Sequence, residues 1–304
     1  MRSGIRFPLL LGFVLFVFTG CGGDGIPAFD QDRAFDYLVK QCEFGPRVPN
    51  SQAHSLCAEY LFKELSAKAT VCRRQSFVYI DYFRGDTLHL TNLIASFNPD
   101  RGDRVLLCAH WDCRPWADHD PDSSLHNQPV MGANDGASGV AVLLELAGIF
   151  QAEPPPFGID IVLFDGEDYG QNGSEEGWLL GSKYFAENIG RYRPQYVILL
   201  DLIGDADLNI HREYHSQTYA GPLVSRIWKA AAQEKATHFY PDIVHAVYDD
   251  HVPFLMLGIP AANIIDMDYQ WWHTVSDTPD KCAASSLGEV GRVILRLLYD
   301  RNLQ

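Results

Sequence analysis

The sequence predicts an α/β fold: a single domain with a mostly parallel central sheet and helices on both of its faces. From Arg104 onward, short runs rich in Val, Ile and Leu alternate with longer stretches whose apolar residues recur at helical spacing, the order that βαβ crossovers impose. The short runs are almost wholly apolar, as in residues 159–164, Asp160 apart, and 196–200, so both sides of each strand must be covered. No internal repeat and no shift in composition marks a second domain.

The elements follow in order. Arg2 and Arg6 precede an apolar stretch at residues 7–18, shorter than the ~20 residues a bilayer span needs, which reads as a secretory leader. It closes on Phe18-Thr19-Gly20-Cys21, which resembles the lipobox of bacterial lipoproteins, with Phe18 where such motifs usually carry Leu. The expected organisation is a signal peptide over 1–20, a tether over 21–28 starting at a lipidated Cys21, and a catalytic domain over 29–304. Such a protein is exported and held on a membrane, facing the periplasm or the cell surface. Asp30 is placed to cap a helix to about Cys42, and Ser51 another to about Lys68. Residues 71–80, 88–97 and 104–109 read as three successive strands, the first two joined near Arg84-Gly85-Asp86. Then come a helix over 137–150, a strand over 159–164, a helix over about 178–188, a strand over 196–201, a helix over about 219–234, a strand over 260–265 and a terminal helix over 285–300. The stretches 111–133 and 266–284 show no periodicity, and loops of that length in a compact domain are usually functional.

Charge and cysteine content narrow the function classes. Without residues 1–20 the net charge is 22 basic minus 39 acidic residues, or −17, since the leader holds two arginines and no acid. That excludes charge-driven binding to nucleic acid or to anionic lipid, and it suits peptides with a free amino terminus, although a merely solvated acidic surface is the plainer reading. Six cysteines besides Cys21 fit no compact metal motif; Cys57 and Cys108 sit on apolar faces, where a free core thiol is expected.

The chemistry-bearing residues gather at strand ends. Asn134 and Asp135 lie in a Gly-bounded loop that runs into a helix, and Glu167-Asp168 follow the strand at 159–164. His110 follows the strand at 104–109, and Asp201 ends the one at 196–201. His273, after Trp271-Trp272, lies in the loop leaving the last strand. Asp249-Asp250-His251 follow no predicted strand. Singly, each has a bland reading as a loop cap, a packed histidine or a solvated acid pair. Together they fall where open α/β sheets bind ligands, beyond the carboxyl ends of the strands. Carboxylates and imidazoles without thiolates suit a catalytic Zn²⁺ with three protein ligands and an open position. His110 could be oriented by Asp112, and adjacent Glu167 and Asp168 diverge on an extended segment, so that one binds metal and the other faces substrate.

Six motifs in order carry a family resemblance: Ala-His-Trp-Asp, Gly-Ala-Asn-Asp-Gly-Ala-Ser-Gly, Phe-Asp-Gly-Glu-Asp, Leu-Leu-Asp-Leu-Ile-Gly, Asp-Asp-His-Val-Pro-Phe and Trp-His-Thr. Over about residues 30–300 the chain resembles the zinc aminopeptidase clan, and within it animal-type glutaminyl cyclases and their bacterial relatives. The resemblance implies one zinc held by Asp135, Asp168 and His273, Glu167 as acid/base, Asp201 and Asp249 as its hydrogen-bond partners, and Trp272 as a wall of the substrate pocket. Asp168 departs from the pattern, since animal cyclases and many aminopeptidases have Glu there, and the shorter side chain must reach the same metal. The implied reaction is conversion of an N-terminal glutamine to pyroglutamate with loss of ammonia. The competing expectation is a dizinc aminopeptidase, in which His110 and Asp201 hold a second ion bridged by Asp135. A peptide-binding protein with a dead site is disfavoured because Glu167 is intact.

Overall fold

The computed structural model describes residues 25–171, 173–174 and 176–303; the leader and the first half of the tether, Cys21 included, lie outside the described residues. Two helices open the domain. In α1 (Gln31–Cys42) the Asp30 side chain accepts from Arg33 N, and in α2 (Gln52–Lys68) that of Ser51 accepts from His54 N, so both predicted caps form. There follow β1 (Val71–Asp81), β2 (Asp86–Phe97), β3 (Arg104–His110), α3 (Ala137–Ala152), β4 (Gly158–Phe164), α4 (Leu180–Glu187), β5 (Val197–Asp201), β6 (Ile210–Arg212), α5 (Tyr214–Glu234), β7 (Phe239–Ile243), α6 (Val252–Met256), β8 (Ala261–Ile265) and α7 (Ala284–Tyr299).

The main sheet has the order β1-β2-β4-β3-β5-β8. Strands β4, β3, β5 and β8 are parallel, as their consecutive apolar residues require, and every residue of these four strands is buried. The β1–β2 hairpin is antiparallel and pairs with β4, so β4 inserts between two strands that are neighbours in sequence. Helices α1, α2, α3, α5 and α7 cover one face and α4 and α6 the other, where Phe164, Phe185 and Phe254 pack ring against ring. Side chains such as Val140, Leu143, Leu144 and Leu146 of α3 are wholly buried, each contributing ~1.5–3 kcal/mol. Gly139 brings α3 against the sheet: a Cβ there would stand 2.1 Å from Leu200 O, so the helix that follows Asp135 lies directly on β5.

The connection from β3 runs to β4 on one side and the connection from β5 runs toward β8 on the other. The carboxyl ends of β3 and β5, carrying His110 and Asp201, therefore flank the point where strand order reverses. Loop 111–133 is latched there by the buried Arg47, which donates to the carbonyls of Trp111 (3.0 Å), Met131 (2.8 Å) and Gly132 (2.6 Å). Cys57 and Cys108 are free, buried thiols, as expected.

Four elements depart from the expectation. The helix predicted from about 219 starts at Tyr214, with Glu213 as its cap and a non-helical Ala220 ahead of Pro222. Strands β6 and β7 form a small parallel pair, and α6 is a short helix opening on Val252-Pro253; neither was legible as periodicity.

Candidate active site

The carboxyl ends of the parallel strands bring the separated motifs together. His110 closes β3, Glu167 and Asp168 lie just past β4, Asp201 closes β5, and the loop leaving β8 delivers His273. Asp135 sits between β3 and α3, its backbone N–H donating to Asp277 Oδ2 (3.2 Å) while Asn134 N donates to Asp277 Oδ1 (2.8 Å). The neighbouring Gly136 is obligatory for space, since a Cβ would stand 2.6 Å from the His110 ring.

Asp135 faces two imidazoles with its two oxygens. Its Oδ2 is 3.6 Å from His273 Nε2, which is 3.3 Å from Asp168 Oδ1; its Oδ1 is 3.0 Å from His110 Nε2, which is 3.2 Å from Asp201 Oδ1. Two candidate metal sets result, Asp135–Asp168–His273 and His110–Asp135–Asp201, all buried and sharing Asp135. The donor types suit zinc, and Asp168 Oδ2 is a buried oxygen with no hydrogen-bond partner among the described residues, as a ligand atom awaiting a cation would be. His273 adopts φ +56°, a left-handed conformation that costs a non-glycine residue ~1–3 kcal/mol and is sustained here by the surrounding loop.

A second set of groups, mostly invisible in the sequence, holds these in place. Asp112 accepts from Glu167 N (3.1 Å) and Asp168 N (3.3 Å), with His110 Nδ1 at 3.5 Å, so the carboxylate expected to orient His110 also shapes the β4 turn. Arg114 donates to both oxygens of Asp118 (2.7 and 2.6 Å) and to Asp168 Oδ1 (3.1 Å), while Asp118 Oδ1 stands 3.7 Å from His273 Nδ1. This guanidinium fixes the short Asp168 where it meets His273. The length of loop 111–133 marks it as functional, but no local pattern in the sequence sets its Arg114 and Asp118, or Asp277 and Asn263, apart from other polar residues.

The electrostatics follow from crowding. Burial, only partly opposed by His110 and reinforced by Asp168, Asp249 and Asp250, raises the Glu167 carboxyl well above its ordinary value. Burial, with Asp201 and Asp250, does the same to Asp249, and burial pushes Asp250 up to about 7, only partly opposed by the hydrogen bond from the Ser182 hydroxyl. Asp168 goes the other way, because His273 and Arg114 outweigh its burial. Asp249 is oriented by Asn263 of β8, whose Nδ2 donates to its Oδ2 (2.7 Å).

The site opens into a cavity of about 600 Å³. Asp135, Glu167, Asp168, Asp201, Asp249 and His273 line its floor, and Trp272 and Trp178 line its sides. Trp272 packs on His273 (ring centroids 3.9 Å) and edge-on to His119 (4.6 Å). Trp178 stacks parallel to His273 at 6.3 Å and was missed in the sequence. His110 lies behind Asp135 and Asp201.

A parallel α/β sheet whose strand ends converge two aspartates and a histidine beside a protonatable glutamate defines a zinc exopeptidase-like enzyme. The chain belongs to peptidase family M28, whose model matches residues 92–298. Among solved structures it is similar to the glutaminyl cyclase of Bacteroides thetaiotaomicron bound to N-acetylhistamine (37% identity, 91% of this chain and 99% of that one, TM-score 0.87). It is equally similar to a Zn-dependent exopeptidase of Parabacteroides distasonis (37% identity, 91% and 100%, TM-score 0.87). Curated relatives include the aminopeptidase YwaD of Bacillus subtilis, 26% identical over 273 residues, and the glutaminyl-peptide cyclotransferase of Drosophila melanogaster, 24% identical over 259 residues. The matches cover 84% and 76% of this chain; they span 54% of the first relative's length and 70% of the second's.

Proposed function

We infer that the protein is a zinc-dependent glutaminyl-peptide cyclotransferase that closes the N-terminal glutamine of peptides to pyroglutamate and releases ammonia. The observation that carries this reading is the cluster of three acids at the pocket floor beside the candidate metal set. Glu167, Asp201 and Asp249 line one cavity, and burial together with the neighbouring carboxylates raises the Glu167 and Asp249 carboxyls above their ordinary values, as suits a group that must both take and give a proton. Cyclisation needs proton transfer and no activated water, because the substrate brings its own nucleophile, the α-amine, and its own electrophile, the γ-carboxamide carbon. The similarity to the bacterial cyclase across 91% of the chain supports the same reading.

Asp135, Asp168 and His273 would hold the metal. Zinc bound there supplies Lewis acidity to the carboxamide oxygen and stabilises the negative charge that develops on it. Trp272 packs on the aliphatic stem of the glutamine and folds it back toward its own amine. Glu167 takes a proton from the attacking α-amine and delivers it to the departing amide nitrogen, and Asp201 and Asp249 keep its carboxyl poised to do both. The second reading, a dizinc aminopeptidase, rests on the His110–Asp135–Asp201 set.

A lipid on Cys21 would hold the enzyme on a membrane, facing the periplasm or the cell surface; the leader that ends in Phe18-Thr19-Gly20-Cys21 supports this reading. Among the described residues no helix is long and apolar enough to cross a membrane. Gly25 lies among Pro154, Pro156 and Tyr299, at the end of the sheet opposite the carboxylates, so an anchor there leaves the pocket clear.

Mass spectrometry of a Gln-Phe-Ala digest tests the reaction. Ammonia loss above the spontaneous rate from a peptide of unchanged length is expected. Free glutamine with Phe-Ala, and no enzymatic loss of ammonia, would overturn the cyclase in favour of the aminopeptidase.

A further inference from the structure

One side of the pocket mouth is apolar far beyond the pocket itself. Tyr248 and His245 line the cavity, and the chain leading into them exposes Ile243 and Val244 (53% and 52%). Tyr214 N donates to His245 O (2.8 Å), so the start of α5 abuts this segment. There Tyr214 and Tyr219 are 50% and 68% exposed, with the His215 ring between them at 5.5 and 6.5 Å. Across the mouth Ser174 lines the cavity, with Gln171, Glu176 and Gly177 beside it and Phe83 exposed further out. The apolar side is also rigid. Glu213, buried, accepts from His215 N (2.8 Å) and Val247 N (3.1 Å) with one oxygen, and from Ser216 N (2.6 Å) and Ser216 Oγ (2.7 Å) with the other, tying helix and pocket wall together. A contiguous, stiff apolar surface running out of a binding cavity marks a contact site rather than scattered surface residues.

We propose that this apron, Tyr214, Tyr219, Ile243, Val244 and Tyr248, is the docking surface for the part of a polypeptide substrate that follows its first residue, and that it selects apolar and aromatic side chains there. The inference rests on the reading of the site as one that acts on peptide N-termini. A substrate whose amine and first side chain reach the carboxylates at the floor must carry the rest of its chain out over the rim. His245 and Tyr248 make the rim continuous with the apron. An extended chain advances ~3.3 Å per residue, so the second to about the fifth residue would lie on it.

The test compares two hexapeptides, Gln-Leu-Phe-Val-Tyr-Ala and Gln-Ser-Asn-Gly-Ser-Ala, with the dipeptide amide Gln-Ala-NH₂, on the wild type and on Tyr214→Ser/Tyr219→Ser and Ile243→Ser. Turnover is read as ammonia release and binding as anisotropy of the C-terminally labelled peptides. The expected result is about tenfold tighter binding and higher kcat/KM for the apolar hexapeptide, an advantage that the variants lose while dipeptide kinetics stay unchanged. Equal binding of both hexapeptides to the wild type would overturn the proposal, as would variants that impair the dipeptide equally. A wild-type dimer that the variants split into monomers with peptide preference intact would also overturn it, assigning the surface to a second copy. Because anisotropy needs no turnover, absence of ammonia with apolar selectivity retained would count against the cyclase reading and leave the apron supported.

Discussion

Glu213→Gln tests how the pocket wall is held. Burial pushes the Glu213 carboxyl up, but the hydrogen bond from His251 and those from Ser216 outweigh it and hold the group at about 2 instead of its ordinary 4.5. At ~1.4 kcal/mol for each pH unit between those values, the ionised carboxylate contributes at most ~3 kcal/mol to stability at pH 7. The sign is that of a depressed acid: the contribution is fully present above 4.5 and is lost as pH falls toward about 2. The glutamine amide keeps one acceptor and turns an NH₂ toward groups that themselves donate, so the full loss is expected. Urea unfolding should show the variant ~3 kcal/mol less stable at pH 7, and the gap should narrow by ~1 kcal/mol by pH 3.5. The effect should reach the chemistry as well. Ser216 Oγ, which donates to Glu213, accepts from Asn263 N (3.0 Å), and Asn263 orients Asp249, so kcat should fall even where the variant is fully folded. A stability gap that stays constant from pH 7 to 3.5 would refute the ionic account, and an unchanged kcat would refute the link to Asp249.

Glu167→Gln should retain zinc and bind peptide while turnover drops by roughly 10²–10⁴, measured as ammonia release under saturating substrate. His273→Ala should lose the metal, read by atomic absorption after dialysis, and chelation of the wild type should abolish activity that Zn²⁺ restores; activity undiminished in metal-free protein would contradict the proposed ligand set. Cys21→Ser should move the protein from the membrane to the soluble fraction, and its retention on membranes would sink the lipid anchor.

The sequence carried the parallel core because burial writes itself as consecutive apolar residues, and the helix caps because Asp30 and Ser51 act within their own turn. It carried the strand-end residues for the same reason, since a strand's end is local information. What it hid was set by contacts distant in the chain. Pro222 masked the first turns of α5, which Glu213 caps, and with them the tie to Val247 thirty-four residues on. The β6–β7 pair contains Pro241 and too few residues to show alternation. Arg114 is unremarkable as one arginine in a long loop; its importance comes from Asp168, fifty-four residues later.

The proposed metal set has a consequence for how the molecule folds. Asp135, Asp168 and His273 hang from the ends of different strands, and His273 follows β8, which lies at the far edge of the sheet from β1. An edge strand with only β5 beside it is the natural place for local opening, and a cation shared with residues beyond β3 and β4 staples that edge to the centre of the sheet. Binding to the native state alone stabilises by mass action, ~4 kcal/mol for free metal at a thousand times Kd. Amide exchange in β8 should therefore slow with zinc more than exchange in β2, making the outermost parallel strand the most sensitive reporter of whether the active site is loaded.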